Sequence, residues 1–118
     1  AALGFGNTSG TDSATVQTMV DSALFNWQEA SVGVTLVAGQ KTIVDTSTTP
    51  ITIGLPTGTF GNEVRIIDGY GNAATNNITI QSSQKIIGSD SDLIININRA
   101  AIGLVYYNDS NGWILTEN

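Results

Sequence analysis

The chain has 118 residues and a mass of 12.3 kDa, with ten acidic and four basic side chains, no histidine and no cysteine. That length fits one small domain, and the missing Cys and His exclude a disulfide framework, a zinc finger, a Ser-His-Asp triad and an imidazole switch. A net charge of −6 repels a phosphate backbone, so no nucleic-acid partner is expected. Apolar runs are too short for a membrane helix, and Ala1–Gly6 lacks the charged start and long apolar stretch of a signal peptide. Only 12% of residues are charged while 41% are hydrophobic, and Thr, Ser, Asn and Gly are abundant. Such a composition suits a β-protein with hydroxyl and amide surfaces and not a disordered chain.

Three regions follow in chain order: an arm over residues 1–10, an amphipathic helix over 11–30 and a β-domain over 31–118. The arm is rich in Gly, Asn, Thr and Ser, with Leu3 and Phe5 as isolated apolar anchors. It reads either as a loose terminus or as a segment that docks those two side chains on a neighbour. In the helix, Thr11 or Asp12 offers an N-cap oxygen. Val16, Met19, Val20, Ala23, Leu24 and Trp27 recur at three- and four-residue steps as one apolar stripe. The stripe fits core packing, or a short seam between identical subunits.

Beyond Val32 every run reads as strand: Val32–Leu36, Thr42–Asp45, Ile51–Leu55, Glu63–Asp68, Asn77–Gln81, Lys85–Ile87, Leu93–Asn98, Ile102–Tyr107 and Trp113–Thr116. Each is short, rich in β-branched or aromatic residues, and bounded by Gly, Asn, Asp, Ser or Pro. Asp68-Gly69 and Asn111-Gly112 carry tight-hairpin chemistry. The expected fold is mainly β: a small antiparallel sandwich or barrel of eight or nine strands with one N-terminal helix. Ile51-Thr52-Ile53 and Ile78-Thr79-Ile80 echo one another, but one pair falls short of a solenoid signature.

Candidate chemistry is sparse. Ser89-Asp90-Ser91-Asp92 gathers carboxylates and hydroxyls, yet the glycine and distal glutamate of a calcium loop do not follow, so it reads as a solvated turn. Asp68-Gly69-Tyr70-Gly71-Asn72 reads as a hairpin turn for the same reason. Asp45, Glu63 and Asp68 lie at strand ends or turns with nothing to pair them across a cleft for glycoside hydrolysis. No phosphate-binding glycine pattern occurs, and sequons at Asn7, Asn77 and Asn108 read as chance in an Asn/Thr-rich chain. No catalytic residue, metal site or cofactor is expected. Tyr70, Tyr106, Tyr107 and Trp113 gather near turns and the last hairpin. They fit sugar stacking or protein anchoring, or a core formed by Trp113 and one of Tyr106 and Tyr107 with the other tyrosine at the surface.

From Ile51 onward the ordered set Ile51-Thr52-Ile53-Gly54-Leu55-Pro56, Gly61–Asp68, Asn76–Ile80, Lys85–Gly88, Leu93–Asn96, Leu104–Tyr107 and Gly112-Trp113 resembles a β-module of tailed-bacteriophage virion proteins. Those proteins are capsid decoration (cement) proteins and tail or neck fibres. The resemblance implies a homotrimer on the virion without catalysis. Its partner would be the major capsid protein or another virion protein, with no membrane or nucleic acid. The short chain points first to a decoration protein that stabilises the head shell, with Leu3 and Phe5 as particle anchors, and next to a tail or neck appendage. A free carbohydrate-binding lectin is the third reading.

Overall fold

The computed structural model describes residues 26–116, which form nine strands and no helix. They are β1 (Trp27–Ala30), β2 (Val34–Thr35), β3 (Lys41–Val44), β4 (Ile51–Gly54), β5 (Glu63–Asp68), β6 (Ile78–Gln81), β7 (Leu93–Ile95), β8 (Ala101–Asn108) and β9 (Gly112–Leu115). A five-stranded sheet has the order β1-β3-β5-β8-β9, and a four-stranded sheet the order β2-β4-β6-β7.

Up to β6 the chain alternates between sheets, and each strand lies parallel beside the strand two before it. The result is a stack of coils, each giving one strand to each sheet. Only β7, β8 and β9 add on antiparallel. The sheets are therefore mixed, which corrects the antiparallel sandwich. Alternating hydrophobicity marks a run as a half-buried strand, but it does not say whether the next run pairs with it or crosses to the other layer. Asp68-Gly69 is accordingly not a hairpin: the chain leaves β5 there for β6 in the opposite sheet.

The Ile-Thr-Ile echo is the clearest trace of this stacking. Ile51 stands beside Ile78, Thr52 beside Thr79 and Ile53 beside Ile80. The four isoleucines point inward and are buried, while Thr52 is exposed. Coils of unequal length conceal the rest of the pattern, because Lys41 stands beside Trp27 while Arg65 stands beside Lys41. A fixed sequence period cannot arise from such spacing.

Trp27–Ala30, read from sequence as the end of the helix, form β1, and Asn26 before them lies in a bend. Parallel pairing of Trp27–Ala30 with Lys41–Val44 decides their conformation, overriding a helical spacing that carries only a weak intrinsic preference. The rest of the predicted helix and the arm lie outside the described residues.

The core runs between the sheets and includes the last hairpin. Trp113 is fully buried and meets the ring of Tyr106 edge-on, with centroids 5.7 Å apart. Of the expected aromatic set, Trp113 and Tyr106 are thus core and Tyr107 is surface. Gly58 lies flat against both core rings, held there by the Gln84 amide, which accepts from the Gly58 N–H at 2.8 Å and donates to its carbonyl at 3.1 Å. A Cβ on Gly58 would stand 2.8 Å from atoms of both Trp113 and Tyr106. Gly58→Ala should therefore cost about 1–3 kcal/mol through overpacking. Chemical denaturation should show a lower midpoint at unchanged slope; a midpoint equal to wild type would refute this contact.

Candidate functional site

Three features of the described residues have the geometry to do something. The first is a knot around Asp68. Its side chain lies in the inward row beside Val44 and is buried, a costly place for a carboxylate without donors. Four donors converge on it. Oδ1 accepts from the Gly71 N–H at 3.1 Å and the Thr46 hydroxyl at 3.2 Å, and Oδ2 from the Ala73 and Arg99 N–H groups at 3.0 Å each. Positive φ at Gly71 and Arg99 (75° and 64°) turns those amides toward the carboxylate. Around it, Asn72 and Asn76 donate to the Thr46 carbonyl, Ala74 donates to Asn98, and Arg99 Nη1 donates to the Gly69 carbonyl at 2.6 Å. Burial alone pushes the Asp68 carboxyl upward, but the hydrogen bonds from Arg99, Ala73, Gly71 and Thr46 outweigh it and hold the pKa below its ordinary value. The carboxylate is consumed by the fold, so this is a structural knot.

The second feature is the outer face of the five-stranded sheet. Register places Trp27, Lys41 and Arg65 in one outward row, Glu29, Ile43 and Ile67 in the next, and Glu63, Val105 and Ile114 in a third. Lys41 Nζ lies 5.9 Å from the centroid of the Trp27 ring, and Arg65 pairs with Glu63 at 3.2 Å. Tyr107 follows inward Tyr106 and faces outward, and a bulge in β8 between Tyr106 and Asn108 leaves it without an opposite residue on β9. There it meets Phe60 with ring centroids 6.4 Å apart. Phe60 is 79% exposed and Tyr107 49%, an aromatic pair open to a partner. Tyr106, its neighbour in sequence, instead donates its hydroxyl to Asp109 at 2.6 Å. That acceptor, with burial, raises the Tyr106 pKa above its ordinary value.

The third is a shallow depression of about 330 Å³ over Gly54 on the outer face of the four-stranded sheet, lined by Gly33, Val34, Thr35, Thr52 and Gln81. A Cβ on Gly54 would come within 2.9 Å of Thr35 Oγ1, so glycine keeps the notch open. Its lining offers hydroxyl and amide groups without charge.

Among the described residues no three carboxylates gather as a metal site. Asp90 pairs with Lys85 at 3.3 Å and Asp92 accepts from Gln81 at 3.3 Å, so the Ser89–Asp92 turn spends its carboxylates on separate neighbours. The Asn77 amide donates to the Ala73 carbonyl at 2.7 Å and is part of the knot. Of the residues singled out from sequence, Trp27, Tyr106 and Tyr107 share the five-stranded sheet, and Tyr70 stands apart, exposed, in the turn after β5. Leu3, Phe5, Val16, Met19, Val20 and Leu24 lie outside the described residues. Phe60 escaped sequence analysis, because a lone aromatic between Thr59 and Gly61 carries no periodicity. Asp68 reads from sequence as a strand-end and turn residue and as an unpaired carboxylate, with no sign of the donors that gather on it.

No protein-family model matches the chain, and no curated protein matches it.

The knot makes stability depend on acid. Because Asp68 ionises more readily when folded than when unfolded, its contribution is complete above the unfolded value near 3.8 and is lost as pH falls through the lower folded value. Melting temperature should therefore drop below about pH 4. Asp68→Asn should flatten part of that drop, and Asp45, lowered by its bonds to Ser47, should supply some of the remainder. Asp68→Ala should cost at least about 3 kcal/mol at neutral pH, since it strands several amides. Equal stability of the Ala variant and wild type would contradict the knot.

Proposed function

We propose that this protein is a non-enzymatic structural subunit of a tailed-phage virion, acting as a homotrimer through its outer surfaces. The virion assignment rests on the ordered resemblance from Ile51 to Trp113. The observation that carries the assembly role is the exposed aromatic pair Phe60–Tyr107, set beside a sheet face of mixed apolar and charged residues. Large exposed rings of this kind are the usual anchors of protein contacts. As a decoration protein the trimer binds the assembled shell and not its opened state, shifting the balance toward the intact particle by mass action. Three copies of a weak contact then act together. Leu3 and Phe5 serve as the particle anchors in this reading.

One observation favours the second placement, a tail or neck appendage. Among the described residues the coil stack is polar: β1 and β2 are edges reached through parallel pairs, whereas β7 and β9 are edges reached through antiparallel ones. A unit open to parallel stacking on one side and closed by antiparallel strands on the other suits the tip of a rod.

Light scattering at micromolar concentration should give three times the 12.3 kDa chain mass. Gold labelling of purified particles should mark heads densely for decoration, or necks and tails sparsely for an appendage; unlabelled particles would refute both placements. Leu3→Ala with Phe5→Ala should keep the trimer and lose most particle occupancy. Unchanged occupancy would move the contact to the β-domain.

A further inference from the structure

We infer that the outer face of the five-stranded sheet is turned toward the three-fold axis and is the surface through which copies of this chain associate. This inference rests on the trimeric reading above and names the surface that carries it. Charge is the first argument. The chain carries ten acidic and four basic residues, so most of its surface repels a second copy. Two of those four cations, Lys41 and Arg65, lie on this one face, where Glu29 and Glu63 balance them. These four charges cancel, so copies that meet through this face are spared the repulsion of the acidic surface elsewhere.

Chemistry points the same way. Ile43, Ile67, Val105 and Ile114 are outward yet half-buried on this face, and the Phe60–Tyr107 pair extends it at one end. The outer face of the four-stranded sheet differs. It presents Thr52, Thr79 and Gln81 around the Gly54 notch, with Val34 and Ile94 as its exposed apolar side chains and no aromatic pair. Five strands of four to eight residues, about 4.8 Å apart, make a face on the order of 400 Å², and the exposed Phe60–Tyr107 pair extends it.

Sedimentation velocity on the full chain and two variants tests this. Ile67→Lys with Val105→Lys adds two cations to the apolar centre of the face, and Phe60→Ser with Tyr107→Ser removes only exposed rings. Both should sediment as single chains at micromolar concentration, with far-UV circular dichroism and a cooperative melt showing the fold intact. Thr52→Lys with Thr79→Lys, on the opposite face, should keep the wild-type mass. If the lysine variant fails to fold, the serine variant decides, because its two side chains lie outside the core. Wild-type mass for a folded sheet-face variant, or dissociation by the Thr52/Thr79 control alone, overturns the choice of face while leaving the trimer standing. A wild-type protein that sediments as one chain overturns the trimeric reading itself.

Discussion

A carboxylate facing the interior of a β-stack survives only if donors converge on it, and Asp68 is placed so that four do. They come from three connections: Thr46 after β3, Gly71 and Ala73 after β5, and Arg99 before β8. Each belongs to a segment that must leave one sheet or enter it at the same end of the stack. Strand pairing alone leaves such crossings undetermined, because their backbone groups have no ladder to join. The carboxylate supplies the missing acceptors, and Asn72, Asn76, Asn77 and Asn98 complete the set with side-chain amides. The abundance of asparagine in this region thus has a structural reason.

With the crossings held, the two sheets stack by like on like. Ile51, Ile53, Ile78 and Ile80 form inward ladders in the four-stranded sheet, capped by Ile95 and Leu93 of β7. Their burial contributes on the order of 1.5–3 kcal/mol per side chain before entropy is counted. At the other end of the chain the Tyr106–Trp113 contact and the flat approach of Gly58 close the core. Parallel stacking also sorts the outer surfaces. Residues in register align into rows, so one face collects threonines and another collects Lys41, Arg65 and the outward isoleucines. A difference in surface chemistry between faces is a direct product of register.

Much of the strand content was legible because β-branched runs bounded by Gly, Asn and Ser leave few other conformations open. The aromatic division was legible only in part: a core of Trp113 and one of the two tyrosines was one reading of the sequence, and the structure puts Tyr106 in that core and Tyr107 at the surface. Phe60 was not legible, since its ring meets Tyr107, in a strand far along the chain. Nor was the weight of Asp68, whose donors lie up to 31 residues away in sequence.

By itself, then, the amino-acid order determined that this is a β-protein without the groups for imidazole or thiol chemistry, because composition and two-residue alternation are local properties that each residue carries with it. It also determined the Asn111-Gly112 hairpin, where Gly112 adopts a φ of 67°. The direction of pairing, the fate of Trp27 and the alignment of Lys41 with Arg65 were settled only by tertiary structure. A strand with one apolar face is satisfied equally well by a parallel or an antiparallel neighbour. What chooses between them is the closure of the crossings and the fit of whole ladders, and those free energies exist only once segments distant in sequence have met.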